Sequence, residues 1–300
     1  MTADSAPLPY PFDRSWPLPQ AVELACLLEA SAPKLGNVHP AAHFDNMSLV
    51  HFLSSAISVG PIFIHAAQRS VGRMVLDSVL ATRESVGCNT NLGTLLLVAP
   101  LARASAYTRV NHPTFQAAVT EVLHSLTAAD CADVYSAIRA AQPGGLGKRE
   151  QDDVAETAPH DLLSAMASAP RTDAVARQYI NNFQDIFGSL VPWLIEELSR
   201  WQQPLEALCR VQLRWLAHEP DGLIVRKVGL QRATEVQHRA ALVLHATTTN
   251  TQPLAQQPAA IEFDQFLRSD GHRLNPGTTA DLLAATTLVV LLSVPAPALM

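Results

Sequence analysis

The sequence predicts an all-α protein. Apolar residues recur at helical spacing in most segments, as at Val22, Ala25 and Cys26, at Val75, Leu76, Val79 and Leu80, and at Trp193, Leu194, Leu198 and Trp201. Alternating apolar and polar runs bounded by Gly or Asn-Gly turns, the mark of strands, are nearly absent. Several helix starts also carry cap chemistry, with Asp130 ahead of Val134 and Ile138, and Thr278 and Asp281 at capping-box spacing.

Taken in order, residues 1–19 are proline-rich and read as an extended N-terminal segment. Helices follow over 20–31, 48–66, 70–86, 92–106, 113–127 and 131–141, then over 160–169, 172–188, 191–217, 223–246, 261–269 and 278–293. Asp45 can cap the helix from Ser48, and Asn89 or Asn91 the helix from Leu92. Residues 143–159, with glycines and a short charged run, and 246–260, polar and low in complexity, read as loops. The helices flanking them are too apolar to be stable alone, so 20–300 is expected to form one domain around a shared core. No fixed-period repeat supports a solenoid.

Composition narrows the class further. The 300 residues are 48% hydrophobic and 16% charged, which suits a globular fold and excludes disorder. Lys+Arg 21 against Asp+Glu 27 gives a net charge of −6, so no broad basic face is expected for nucleic acid or anionic membrane. Cys26, Cys88, Cys131 and Cys209 include no CxxC pair and suit reduced thiols in the cytoplasm. The N-terminus lacks a basic region before an apolar run and does not read as a secretory signal. The uncharged run from Leu282 is interrupted by Thr286, Thr287 and Ser293 and ended by Pro295, and is expected to be a buried helix rather than a membrane span.

The common catalytic signatures are missing: no GxxxxGK[ST], no strand-linked GxGxxG, no HExxH and no GxSxG. Short polar clusters stand out instead, each leading into or interrupting an apolar helix. They are Lys34–Pro40, His43–Asn46, Gly87–Gly93, Gly144–Asp153, Asp173–Gln178, Asp221–Gly229 and Asn275–Asp281. A helix N-terminus offers unpaired N–H groups and a positive dipole end, so such clusters can hold phosphate, and their aspartates Mg²⁺. The same residues are also ordinary caps, and Asp173 and Arg177, four apart, can be a plain surface pair. Pro40 between His39 and His43 argues against a two-histidine metal face. Asp281 opens an otherwise apolar helix, where the positive helix end favours its ionised form.

As a set and in this order the clusters resemble the triphosphoribosyl-dephospho-CoA synthase family. The resemblance rests on Lys34, Gly36 and Asn37, on His43 and Asp45, on Gly87, Asn89, Thr90 and Gly93, and on Gly144 and Gly145. It rests further on Asp173, Ala176 and Arg177 and above all on Asn275-Pro276-Gly277-Thr278-Thr279-Ala280-Asp281-Leu282. It covers about 20–293, and GGLG, PDGLIVRKVG and NPGTTADL look closest to the less characterised archaeal and bacterial members.

The resemblance implies an all-α fold with the active site in a cleft between helices. It also implies transfer of the triphosphoribosyl group of ATP to the ribose 2′-hydroxyl of 3′-dephospho-CoA, with release of adenine and Mg²⁺ as cofactor. On that reading Lys34, Arg177, Arg226 and Lys227 serve phosphates. Asp45, Asp173 and Asp281 serve as base or metal ligand, with Asp45 and Asp281 holding Mg²⁺. His43, Asn37, Asn89, Thr90, Asn275 and Thr278 contact the substrates.

Two departures stand against the family pattern. Where the characterised synthases resemble GxNTHKG, this chain has GCNTNLG, so Asn91 and Leu92 stand at the family's His and Lys. Lys34-Leu35-Gly36 replaces the usual Lys-Pro-Gly. The alternatives are a related transferase with another acceptor, as in pterin cofactor assembly, and a noncatalytic helical protein that binds a nucleotide or a partner.

Overall fold

A computed structural model describes residues 7–110, 114–143 and 159–293. The cluster Gly144–Asp153, with Gly144 and Gly145, lies outside the described residues. Helices joined by turns and loops make up the described chain, with two isolated antiparallel bridges, His39 to Ala42 and Phe44 to Met47, as its only strand-like pairings.

The helices are α1 (Leu18–Ser31), α2 (Leu49–Val59), α3 (Val71–Val86), α4 (Leu92–Ser105), α5 (Phe115–His124), α6 (Ala128–Ala141) and α7 (Leu162–Ala167). They continue with α8 (Ala174–Ile180), α9 (Val191–Trp201), α10 (Pro204–His218), α11 (Gly222–Val228), α12 (Leu230–Thr247), α13 (Pro258–Arg268) and α14 (Gly277–Ser293). Short 3₁₀ turns occupy Gly60–His65 and Leu254–Gln256, and a π turn occupies Ile186–Leu190.

Four of the long helices expected from periodicity are broken, each for a local reason. Residues 48–66 change to a 3₁₀ turn at Gly60-Pro61, where proline has no N–H to continue the ladder. The 172–188 segment ends at Ile180, because Asn182 and Phe183 take φ of 56° and 59°. The 191–217 segment divides at Gln202, φ 54°, before Pro204 opens α10, and 223–246 divides at Gly229, φ 87°. Apolar periodicity runs through all four breaks, since both flanking helices face the same core.

Two expected caps also differ. Thr127, not Asp130, caps α6. Asp130 is the third helical residue of a capping box, its carboxylate accepting from Thr127 N at 3.0 Å and its N–H donating to Thr127 Oγ1 at 3.3 Å. Its other oxygen accepts from Gly72 N at 2.8 Å and ties α6 to the start of α3. A Cβ at position 72 would stand 2.3 Å from the Asp130 carbonyl, so glycine is what permits that close approach. Asp45 caps nothing: Ser48 and His51 form the capping box of α2.

The core centres on α14, which packs against α1, α4, α8, α9, α10 and α11. From Leu282 to Leu291 every residue of this helix is buried. Its threonines fit because their hydroxyls donate to carbonyls one turn back, Thr286 Oγ1 to Leu282 O at 2.8 Å and Thr287 Oγ1 to Leu283 O at 2.7 Å. Among the described residues no helix is long and apolar enough to cross a membrane. Phe12 is fully buried against this core, ahead of α1, which begins at Leu18.

Leu194 and Leu198 are fully buried, as the periodicity of α9 requires. Trp193 and Trp201 are only half-buried, each covered by an arginine stacked on its ring, Arg214 at 4.2 Å and Arg210 at 3.6 Å. Leu198→Ala should therefore cost about 2 to 5 kcal/mol in denaturant melts. Trp201→Ala should cost less, and equal costs would contradict this assignment of faces.

Candidate functional site

The end of α1 with the turn after it, the loop 44–47, the α3–α4 junction, the start of α8 and the α11–α14 region converge on one cavity of about 910 Å³, whose wall is completed by α2, the end of α6 and α7. Each approach is fixed by local hydrogen bonding.

At the α3–α4 junction, Gly87 ends α3 in the left-handed region at φ 72°. Asn89 Oδ1 then accepts from Leu92 N at 3.1 Å, and Thr90 Oγ1 donates to Ser55 Oγ at 2.7 Å. The glycine of this motif has a packing reason. A Cβ at position 93 would stand 2.1 Å from Asp281 Oδ2, so only glycine lets α14 bring that carboxylate against α4. Thr94 Oγ1 donates to Asp281 Oδ1 at 2.9 Å.

The α11 and α14 starts are tied together by Asp221. One of its oxygens accepts from Leu223 N and Ile224 N, the other from Thr279 N and Thr279 Oγ1, at 2.7 to 3.1 Å. A single buried carboxylate thus serves two helix N-termini. It also fixes the register of Arg226 and Lys227 against Asn275 and Thr278, all four of which line the cavity. Arg226 Nη1 donates to Asp173 Oδ2 at 3.1 Å, and Lys227 Nζ donates to Asn275 Oδ1 at 2.6 Å. Burial holds the Lys227 ammonium below its ordinary value.

Asn37 reaches the cavity from a rigid turn. Gln212 Nε2 donates to Asn37 Oδ1 and to Leu35 O, both at 2.9 Å, while its Oε1 accepts from Leu35 N at 2.9 Å. Gly36, φ 76°, donates its N–H to Asp264 Oδ1 at 2.7 Å. The proline missing from this turn is replaced by a hydrogen-bonded frame.

Asp45, Asp173, Asp281, Asn37, Asn89, Thr90, Arg226, Lys227, Asn275 and Thr278 therefore share one cavity. Three expected residues do not line it. Lys34 is buried beneath the wall, where its ammonium pairs with Glu29 at 3.0 Å and donates to the Glu29 and Ala32 carbonyls, so it braces the site rather than facing a phosphate. Arg177 is held by Asp185 at 2.8 Å and Glu219 at 2.6 Å, and pairs with neither Asp173 nor the cavity. His43 is exposed outside it.

The cavity also contains residues to which motif reading gave no site role, above all Glu29, Arg83, Asn91, Thr94 and His272. Glu29 gave one available signal, a lone carboxylate in the last turn of an apolar helix just before Lys34. Among the described residues no group of three His, Cys, Asp or Glu is placed to hold a metal, and His39 and His43 form no such site.

The electrostatics of Asp281 reverse the expectation from the helix dipole. Burial pushes its carboxyl up to about 7, repulsion from Glu29 and Asp221 adds to the rise, and the Thr94 bond and Arg226 oppose it. Desolvation outweighs the helix end. The capping box with Thr278 is not what holds Asp281; its hydroxyl partner is Thr94, on another helix.

Because the folded carboxyl binds its proton more tightly than the unfolded one, near 3.9, this contribution to stability is complete below about pH 4. It is lost as pH rises through about 7. Asp281→Asn cannot ionise, so thermal melts should show it gaining on the wild type between pH 5 and pH 8. An unchanged difference across that range would show that Asp281 ionises as an ordinary carboxylate.

The chain matches the family model described as ATP:dephospho-CoA triphosphoribosyl transferase over residues 15–298. No curated protein matches it. Its fold is similar to the crystal structure of a provisionally assigned triphosphoribosyl-dephospho-CoA synthase from Archaeoglobus fulgidus, with a TM-score of 0.63 and 23% sequence identity. That similarity covers 82% of this chain and 99% of the other, and at this identity it speaks for the fold alone. The family match extends over nearly the whole sequence, and the chain belongs to the ATP:dephospho-CoA triphosphoribosyl transferase family.

Proposed function

We propose that this transferase moves the triphosphoribosyl group of ATP to the ribose 2′-hydroxyl of 3′-dephospho-CoA, with Asp281 as the base. The observation that carries the reading is a half-buried carboxyl, desolvated and held near neutrality at the wall of a cavity large enough for a nucleotide. A base whose proton affinity lies near the working pH is ionised often enough to accept a proton and still holds it well.

In the step itself, the acceptor 2′-oxygen forms a bond to the anomeric carbon of the ATP ribose as the bond from that carbon to adenine N9 breaks. The bonding pair leaves with adenine. The hydroxyl proton passes to the ionised Asp281 and then to the departing base, so no other reactant is consumed. Thr94 orients the carboxylate through its hydroxyl, and Gly93 leaves the space that lets it stand against α4. Asn37, Asn89, Thr90 and Asn275 supply hydrogen bonds to the sugars and base, and Arg226 and Lys227 supply charge to the phosphates.

Among the described residues no three carboxylates are grouped to hold a metal by themselves, so magnesium would arrive with the triphosphate, and Glu29 and Asp45 at the cavity would each offer it a carboxylate oxygen while Asp281 is kept for the proton. When bound there with the triphosphate, magnesium would neutralise phosphate charge and steady the donor. Lys34 holds Glu29 for this role, and Asp173 holds Arg226 rather than reacting. Four free cysteines and an ATP donor support a cytoplasmic setting, and the net charge of −6 supports small-molecule substrates over nucleic acid.

Adenine release from ATP and dephospho-CoA, followed for wild type beside Asp281→Asn, tests the reading. Asparagine keeps the shape and removes the base, so turnover should fall about a hundredfold or more while the fold persists. Normal turnover in that variant would remove Asp281 from the chemistry.

A further inference from the structure

The wall where α3 ends and α4 begins presents two hydrogen-bonding groups that the protein itself leaves unused. Arg83, in the last turn of α3, lines the cavity and makes no ion pair or side-chain hydrogen bond among the described residues. Asn91, the residue before α4, lines the same wall and is only 8% exposed. Its Oδ1 accepts from Thr82 Oγ1 at 3.3 Å, whereas its Nδ2 has no partner. A buried amide donor without an acceptor is unfavourable unless a ligand oxygen completes it.

Arg226 and Lys227, the other cations at the cavity, each already make one bond within the protein, to Asp173 and to Asn275, and keep their remaining donors for the phosphates. Arg83 is the one whose donors are all free, again among the described residues. The N-terminus of the fourteen-residue α4 adds its positive end at the same place.

We propose that Arg83 and Asn91 form a subsite for a phosphate of the polyphosphate donor, an inference that rests on the transferase reading above. Asn91 and Leu92 stand at the His-Lys positions of the family pattern, so on this wall the donor is a neutral amide and the cation is Arg83, in the last turn of α3 just before the same loop. Arginine suits the task, since its planar donor array pairs with two phosphate oxygens at once. Asn91 stands just ahead of Gly93 and Thr94, where α4 meets Asp281, so the subsite and the base share one helix start.

The test is calorimetric titration of the full chain with ATP, with inorganic tripolyphosphate and with adenosine, together with adenine release. Arg83→Gln should weaken ATP and tripolyphosphate about tenfold or more and leave adenosine unaffected, and Arg83→Lys should recover part of the loss. Asn91→Ala should weaken the same two ligands about threefold and lower the melting midpoint modestly, because the buried Thr82 hydroxyl loses its acceptor, while adenosine binding stays unchanged.

If the wild type binds ATP and releases adenine while Arg83→Gln and Asn91→Ala bind both phosphate ligands as tightly, this subsite is wrong and the transferase reading stands. If adenosine weakens in parallel with ATP, the two residues act on general packing and the subsite is also wrong. If the wild type binds neither ATP nor tripolyphosphate and releases no adenine, the transferase reading falls and takes the subsite with it.

Discussion

Asp281 is the only charged residue of α14, a helix otherwise immersed in the core, and the surrounding structure is arranged around that one carboxyl. A carboxylate so placed is costly to ionise, and the cost is moderated by few contacts: the Thr94 hydroxyl, the more distant charge of Arg226, and the space left by Gly93. The result is a group near neutrality at a cavity wall, which neither a fully solvated aspartate nor a fully paired one would give. What makes the position suitable for a base also makes it a liability for stability above neutral pH.

The rest of the site is built to hold such a group still. Asp221 joins two helix starts, so α11 cannot move without α14, and the cations of the first keep their register with the amide and hydroxyls of the second. Gln212 and Asp264 hold the 34–37 turn, and Lys34 pins Glu29 from below. Several of these braces are themselves charged or amide side chains deep in the protein, tolerable because nearly every polar atom of theirs is bonded. Rigid placement of a few polar groups by a buried second layer is what a transfer between two large substrates requires.

Much of this was readable in the sequence. Helical class, a buried C-terminal helix and the gathering of polar clusters at helix starts follow from periodicity and cap chemistry, and the polar clusters within the described residues contribute to the cavity or its bracing. The failures have a common physical origin. Gln202, Asn182 and Phe183 adopt left-handed backbone without a glycine to announce it, so continuous periodicity concealed helix breaks. Pair partners were misread because an i,i+4 spacing suggests a local bond, whereas Arg177 chose Asp185 and Glu219, and Asp173 chose Arg226. Lys34 was expected at a phosphate, and only tertiary packing shows it beneath the wall. Arg83 belongs to a helix end whose motif looks like an ordinary surface turn, so nothing local distinguished it, and Glu29 offered only its lone place in the last turn of an apolar helix.

The pH dependence of kcat/KM for adenine release is the most direct measurement of whether a half-buried carboxyl near neutrality does the chemistry, because that ratio reports the titration of the free enzyme. With Asp281 as base, the rate should rise with pH and level off with a midpoint near the value set by its burial, about 7. A rate that stays flat from pH 5.5 to 8.5, or a midpoint near that of an ordinary solvated carboxylate, about 4, would contradict the account.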